Sequence, residues 1–237
     1  MSSLFQIFVD SVTLTKFGIS EEVNATRLPG TYNTITGNKP KTYENTIFVW
    51  QTGDWEVPED DPKHSFTMRL DQASSTFAET VALAGSDYLV GYAVGNKRET
   101  VVTTQLLKFS DGKYTVTPPP AGEEDFHFSL DEVHPSMMLY SFRLLRGMEA
   151  KTNGDWVGVW SGSSKSSLYN PDKKPMSIKQ VPVDDRSGSD VFDLTDGQQF
   201  VSGNSYLLGY FKTGFNKDKP EESLRTTLAA VAEFKGP

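Results

Sequence analysis

The sequence predicts an all-β protein made of two tandem antiparallel β-sandwiches. Three observations predict it: short alternating apolar runs, turn residues between them, and the same motifs written twice. Tyr88-Leu89-Val90-Gly91-Tyr92 returns as Tyr206-Leu207-Leu208-Gly209-Tyr210. Thr46-Ile47-Phe48-Val49-Trp50 returns as Trp156-Val157-Gly158-Val159-Trp160. Phe8-Val9-Asp10-Ser11-Val12 matches Ser129-Leu130-Asp131-Glu132-Val133, and each copy carries a Thr-Thr pair before a strand ending in Phe109 or Phe234. A period of about 110–120 residues is too long for a solenoid unit and indicates two domains of one kind. The expected division is 1–112 for the first repeat, 113–125 for a Pro-rich linker and 126–237 for the second repeat.

In chain order, Leu4–Val12 alternates through Phe5, Ile7 and Val9, as a strand with one buried face does. The alignment of Asp10 with Asp131 leaves an 11-residue excess in the first copy, assigned to a loop around Arg27–Asn33. Thr46–Trp50 is a short central strand, and Phe66–Leu70 alternates cleanly. Ala73–Ala84 holds some helix formers, but Ser74-Ser75-Thr76 and Thr80-Val81 weaken a helix there. Tyr88–Tyr92 and Val101–Leu107 supply the last strands of the first copy. Pro118-Pro119-Pro120 favours an extended connector. In the second copy Trp156–Trp160, Met176–Val181, Tyr206–Tyr210 and Leu224–Phe234 repeat the scheme. Turns fall at Pro29-Gly30, Gly37-Asn38, Gly85-Ser86, Asp196-Gly197 and Gly203-Asn204.

Halves of about 115 residues each suffice for a core. The formal charge of −8 argues against nucleic acid, whose phosphates demand dense Lys and Arg. The chain has no cysteine, so a disulfide framework, a thiol nucleophile and a thiolate metal site are excluded. No apolar run reaches the roughly 18–20 residues that span a bilayer, and the first residues lack a secretory pattern. A cytoplasmic protein is expected.

Gly154-Asp155-Trp156-Val157-Gly158-Val159-Trp160, followed by Tyr206-Leu207-Leu208-Gly209-Tyr210-Phe211, resembles the SKICH type of immunoglobulin-like domain. The resemblance covers most of the second copy. In the first copy it holds by internal analogy, because Glu44-Asn45-Thr46-Ile47 replaces the Gly-Asp-Trp-Val lead. It implies that the two motif strands pair and that the domain serves protein interaction or targeting. The expected fold is therefore two tandem immunoglobulin-like antiparallel β-sandwich domains related by internal duplication.

Motifs for catalysis are sparse. His64, His127 and His134 are too few and too separated for a His-based zinc site. No Gly-x-Ser-x-Gly elbow, Ser-His-Asp arrangement or phosphate-binding glycine loop is present. Carboxylates cluster at Glu56-Val57-Pro58-Glu59-Asp60-Asp61 and at Asp184, Asp185, Asp190 and Asp193. Such loops suit a hard cation, so calcium is the one candidate in a chain otherwise expected to need no cofactor. They also leave open a hydrolase whose acids converge in a cleft between the domains.

Aromatics divide by context. Trp50 and Trp160 hold equivalent strand positions and are expected in the cores. Trp55, outside the apolar run beside Gly53-Asp54, is expected at the surface. The candidate ligand-binding surface combines Trp55, Glu56, Asp60 and Asp61 with Tyr169, Asn170 and Asp172, in corresponding loops after the central Trp strands. The expected activity is binding of a protein or glycan, with self-association as a further expectation. A structural or storage role is the remaining alternative.

Overall fold

A computed structural model describes residues 9–120 and 126–237. The strands run, in order, β1 (Val9–Leu14), β2 (Lys16–Ile19), β3 (Arg27–Asn33), β4 (Thr46–Trp50), β5 (His64–Thr67), β6 (Ser74–Thr80), β7 (Tyr88–Ala93), β8 (Val101–Ser110) and β9 (Lys113–Thr117). They continue with β10 (His127–Val133), β11 (Met137–Arg143), a single helical turn α1 (Ala150–Asn153), β12 (Trp156–Ser161), β13 (Ser177–Gln180), β14 (Ser187–Asp193), β15 (Ser205–Phe211) and β16 (Leu228–Lys235). Every ladder is antiparallel.

The chain divides into two compact units. The first comprises Thr15–Phe126 with Leu144–Met148, and the second comprises β1 with 127–143 and 149–237. In the first, a sheet ordered β2-β3-β6 faces one ordered β5-β4-β7-β8-β9; in the second, β10-β11-β14 faces β13-β12-β15-β16-β1. Each is an all-β sandwich.

Aromatic side chains join the facing sheets. In the first unit Phe17 and Tyr32 lie 5.7 and 5.5 Å from Tyr92, centroid to centroid. In the second, Phe128 and Phe142 lie 5.5 and 6.0 Å from Tyr210. The continuous apolar runs are explained by burial on both faces: every residue of β4 and β7, and Trp156–Trp160 of β12, is buried. Close approach needs Gly209, where a Cβ would stand 2.8 Å from both the Leu168 and Phe211 side chains.

Local motifs recur at matching register. Thr42 donates N–H and hydroxyl to Asp71, as Thr152 does to Asp184. The Tyr92 hydroxyl donates to buried Asn45 at 3.1 Å, and the Tyr210 hydroxyl donates to buried Asp155 at 2.9 Å. Trp50 Nε1 donates to the Asp60 carbonyl and Trp160 Nε1 to the Lys173 carbonyl. One pair differs in charge. Lys212, 1% exposed, forms an ion pair with Asp155 at 0%, whereas Val94 takes the place of Lys212 in the first unit. Complete burial pushes the Asp155 carboxyl up from its ordinary range, against the opposing pull of Lys212, Thr213 and Tyr210.

Several sequence expectations change. Residues 9–12 are not the counterpart of 129–133. Lys16 pairs with Asn33 and His127 with Arg143, so β2 stands where β10 stands, and β1 pairs with β16 instead. Alternating apolar residues reveal a half-buried strand but not its ladder. The supposed loop excess vanishes with that alignment, since Arg27–Asn33 is strand β3 in the place of β11. Ala73–Ala84, whose helix signal is weakened by Ser74-Ser75-Thr76 and Thr80-Val81, contains β6. Lys113–Thr117, assigned to the linker, is strand β9. Residues 121–125 of that linker, and residues 4–8 of the strand expected over Leu4–Val12, lie outside the described residues.

Candidate functional site

The loop from Gln51 to Lys63 in the first unit carries four of the expected site residues. β4 delivers it from the core, because Trp50 is 2% exposed and its indole N–H holds the Asp60 carbonyl at 3.0 Å. Asp54 then organises the next turn. Its Oδ1 accepts from the Trp55 amide at 2.6 Å and the Glu56 amide at 3.3 Å, while its own amide donates to Thr52 Oγ1 at 3.2 Å. Such side-chain to backbone bonds stabilise a turn without regular structure.

Val57 plugs the loop into the unit. Its side chain is 1% exposed, and its amide donates to the Arg146 carbonyl at 3.0 Å. Arg98 completes the anchor, donating to the carbonyls of Pro58 (2.6 Å), Val57 (2.8 Å) and Gly147 (2.7 Å). Gly147 is required there, with φ 80° and a Val57 carbonyl oxygen 2.7 Å from where a Cβ would sit. Trp55 is left half-buried, and the side chains of Glu56, Glu59, Asp60 and Asp61 are exposed.

The corresponding loop in the second unit follows β12 and is anchored alike. Trp160 Nε1 holds the Lys173 carbonyl at 3.1 Å, and Arg225 donates to the carbonyls of Asn170 and Lys173, each at 2.7 Å. The guanidinium lies 5.5 Å from the Trp160 ring centroid, a cation–π geometry. Burial lowers its proton affinity. Asn170 and Asp172 are exposed, and Asn170 Oδ1 accepts from the Asp172 amide at 2.9 Å. Tyr169 differs from expectation. It is 7% exposed, at the end of a 3-10 turn (Lys165–Tyr169) that turns Leu168 and Tyr169 inward. Burial to that degree leaves its ring little surface on which a ligand could stack.

The two anchoring arginines were not among the candidate residues. Their signal was an Arg two positions before a Thr that immediately precedes a long strand (β8 or β16), in Arg98-Glu99-Thr100 and Arg225-Thr226-Thr227. A lone Arg in a polar stretch reads as a surface charge, and the carbonyls it grips leave no trace in a sequence.

Asp184 and Asp190, of the second acidic cluster, are engaged with protein groups. Asp184 accepts from the Thr152 amide and hydroxyl at 2.7 and 3.0 Å, which holds its carboxyl below the usual range. Asp190 takes Lys179 Nζ at 2.8 Å and the Tyr140 hydroxyl at 3.2 Å. Among the described residues, no three His, Asp or Glu side chains group as a metal site. His64 Nε2 lies 3.1 Å from the Ala82 carbonyl, and His134 lies 3.2 Å from Glu132.

Three surface cavities involve other residues. Two troughs of about 510 and 400 Å³ join across Gly18, Thr31 and Thr76 on the β2-β3-β6 sheet. A third, of about 350 Å³, is lined by Phe109, Tyr114, Glu21 and Lys113 among others. No described helix is long and apolar enough to cross a membrane. Comparison of the chain with protein-family models and with curated proteins returns no match.

Proposed function

We propose that this chain is a non-catalytic binding protein whose loop Gln51–Lys63 recognises a basic segment of a partner protein. The observation that carries this reading is the stiffness of a loop with no regular structure. Asp54, Val57, Trp50 and Arg98 fix its backbone from four directions, while Trp55, Glu56, Glu59, Asp60 and Asp61 project from it. A loop ordered before binding loses little entropy on contact. Carboxylates steer a cationic partner, and a half-exposed indole adds cation–π and apolar contact.

Catalysis is less well supported. An enzyme places its strongly perturbed acids and bases in a cleft, whereas Asp155 and Tyr210 are sealed in a core and satisfy one another. We also infer that the two units are immunoglobulin-like and descend from one duplicated unit. The matched Thr–Asp, Tyr–Asn/Asp and Trp–carbonyl pairs support this. The SKICH resemblance draws support from the pairing of Trp156–Ser161 with Tyr206–Phe211.

The test is a random-peptide display library panned on the purified protein. Lys- and Arg-rich peptides should be enriched, and the Glu59→Lys, Asp60→Lys, Asp61→Lys triple variant should bind them about tenfold or more weakly. Enrichment without basic residues, or equal binding by the variant, overturns the proposal. A glycan-array signal lost on Trp55→Ala would assign the loop to sugars instead.

A further inference from the structure

The fifth strand of each larger sheet is supplied in two different ways. In the first unit β9 follows β8 through the two-residue turn Asp111-Gly112, whose φ values of 52° and 77° suit a tight hairpin. In the second unit the same edge, beside β16, is occupied by β1, with Ser11 bonded to Glu233 across 222 residues of sequence. After Leu14 only Thr15 intervenes before β2, which belongs to the first unit. β1 is therefore joined covalently to one unit and by its ladder to the other.

β1 is also lightly held. Asp10, Ser11 and Val12 are exposed, Thr13 and Leu14 are half-buried, and the register slips between Val9 and Ser11. β16 is the opposite: Leu228 to Ala232 and Phe234 are 0% exposed. If β1 leaves, an ordered ladder of unpaired N–H and C=O groups remains on a rigid strand, the template that pairs readily with another chain.

We propose that this edge of β16 is a strand-acceptor site and that its partner is β1 of a second copy of the chain. The second copy carries the same strand, so the bound register is already known: Ser11 against Glu233, Val12 against Ala232, Thr13 against Val231 and Leu14 against Ala230. The exchange swaps one ladder for an identical one, which makes it a low-cost route to association. A one-residue connection favours it, because a short hinge restricts how the strand returns to its own chain. The tethered strand competes at an effective concentration in the millimolar range, so exchange builds up when the ladder is loosened and is trapped on return.

The absence of native cysteine permits a direct test on the full chain. One variant carries Ser11→Cys and the other Glu233→Cys. Ser11 is exposed and Glu233 half-buried, and their side chains approach to 3.1 Å. Facing residues of an antiparallel pair lie within disulfide range. The double variant in one chain should close on itself as a monomer. The two single variants, mixed, incubated in mild urea, diluted and oxidised, should give a mixed disulfide dimer about fivefold or more in excess of either homodimer. A mixed dimer at or below the roughly 2:1:1 ratio of random coupling overturns the proposal, because closed circuits of β1 and β16 would then stay within one chain. Failure of the double variant to close also overturns it, since β1 would not occupy that edge in solution.

Discussion

The buried ion pair between Asp155 and Lys212 can be dissected with the first unit as a guide. Asp155 and Lys212 are 0% and 1% exposed, and the carboxylate also accepts from the Tyr210 hydroxyl and the Thr213 amide, both at 2.9 Å. Replacing Asp155 by Asn leaves a single acceptor oxygen for the Tyr210 hydroxyl and the Thr213 amide, which now bond to different carboxylate oxygens, and it leaves an ammonium without its counter-charge. At an effective dielectric of about 20 the lost attraction is about 4 kcal/mol at contact distance. Breaking one partner of a buried pair costs about 3–5 kcal/mol. Asp155→Asn with Lys212→Val copies Asn45 and Val94 of the first unit. Since a buried pair roughly breaks even against a well-packed neutral pair, the double variant should recover to within about 1 kcal/mol of the parent. Urea unfolding read by hydrogen exchange of β12 and β15 peptides isolates the second unit, which bulk fluorescence from Trp in both units does not. A single substitution costing less than about 1 kcal/mol, or a double variant no better than Asp155→Asn, would refute the argument.

Arg225→Lys keeps the charge but loses the fork that grips two carbonyls over Trp160. It should cost about 1–2 kcal/mol and speed amide exchange selectively in 162–176; unchanged exchange there speaks against the anchor. Gly209→Ala should cost about 1–3 kcal/mol by thermal melting, through overpacking against Leu168 and Phe211, and a neutral outcome would mean the core yields. Bonds from the Phe109 amide and then Lys108 hold the Asp87 carboxyl below the usual carboxylate range. Its contribution is therefore present above the unfolded value and lost as pH falls through the folded one. The melting-temperature gap between the parent and Asp87→Asn should narrow below about pH 4, whereas a constant gap contradicts the assignment. Millimolar calcium should leave the melting temperature within about 1 °C of its value in chelator, because Asp184 and Asp190 already have protein partners; a rise of several degrees would point to a cation site.

The central strands were legible because burial on both faces writes itself as an uninterrupted apolar run. Thr46–Trp50, Trp156–Trp160 and the two Tyr-flanked segments needed no tertiary information. β1 did not yield its partner in the same way. The alternation of Phe5, Ile7 and Val9 announces a half-buried strand, yet nothing local distinguishes β16 from the edge beside β11. Tyr169 misled because Ser166, Ser167 and Asn170 surround it with polar neighbours, while a 3-10 turn sets Leu168 and Tyr169 on the inner side. Lys212 was invisible as a core residue, since only Asp155, 57 positions earlier, makes its burial tolerable. In the candidate loop the side chains could be named from sequence. Their stiffness could not, because it comes from Arg98 gripping main-chain oxygens.

The placement of β1 has a consequence for how the protein is made. A ribosome releases β1 long before β16 exists, so the first unit has every strand it needs while the second still lacks several. β1 must stay unpaired, or lean on whatever edge is at hand, until translation has advanced past residue 235. Slowing elongation late in the message should therefore lengthen its exposure to chaperones and proteases, while the hairpin of β8 and β9 is indifferent to the delay.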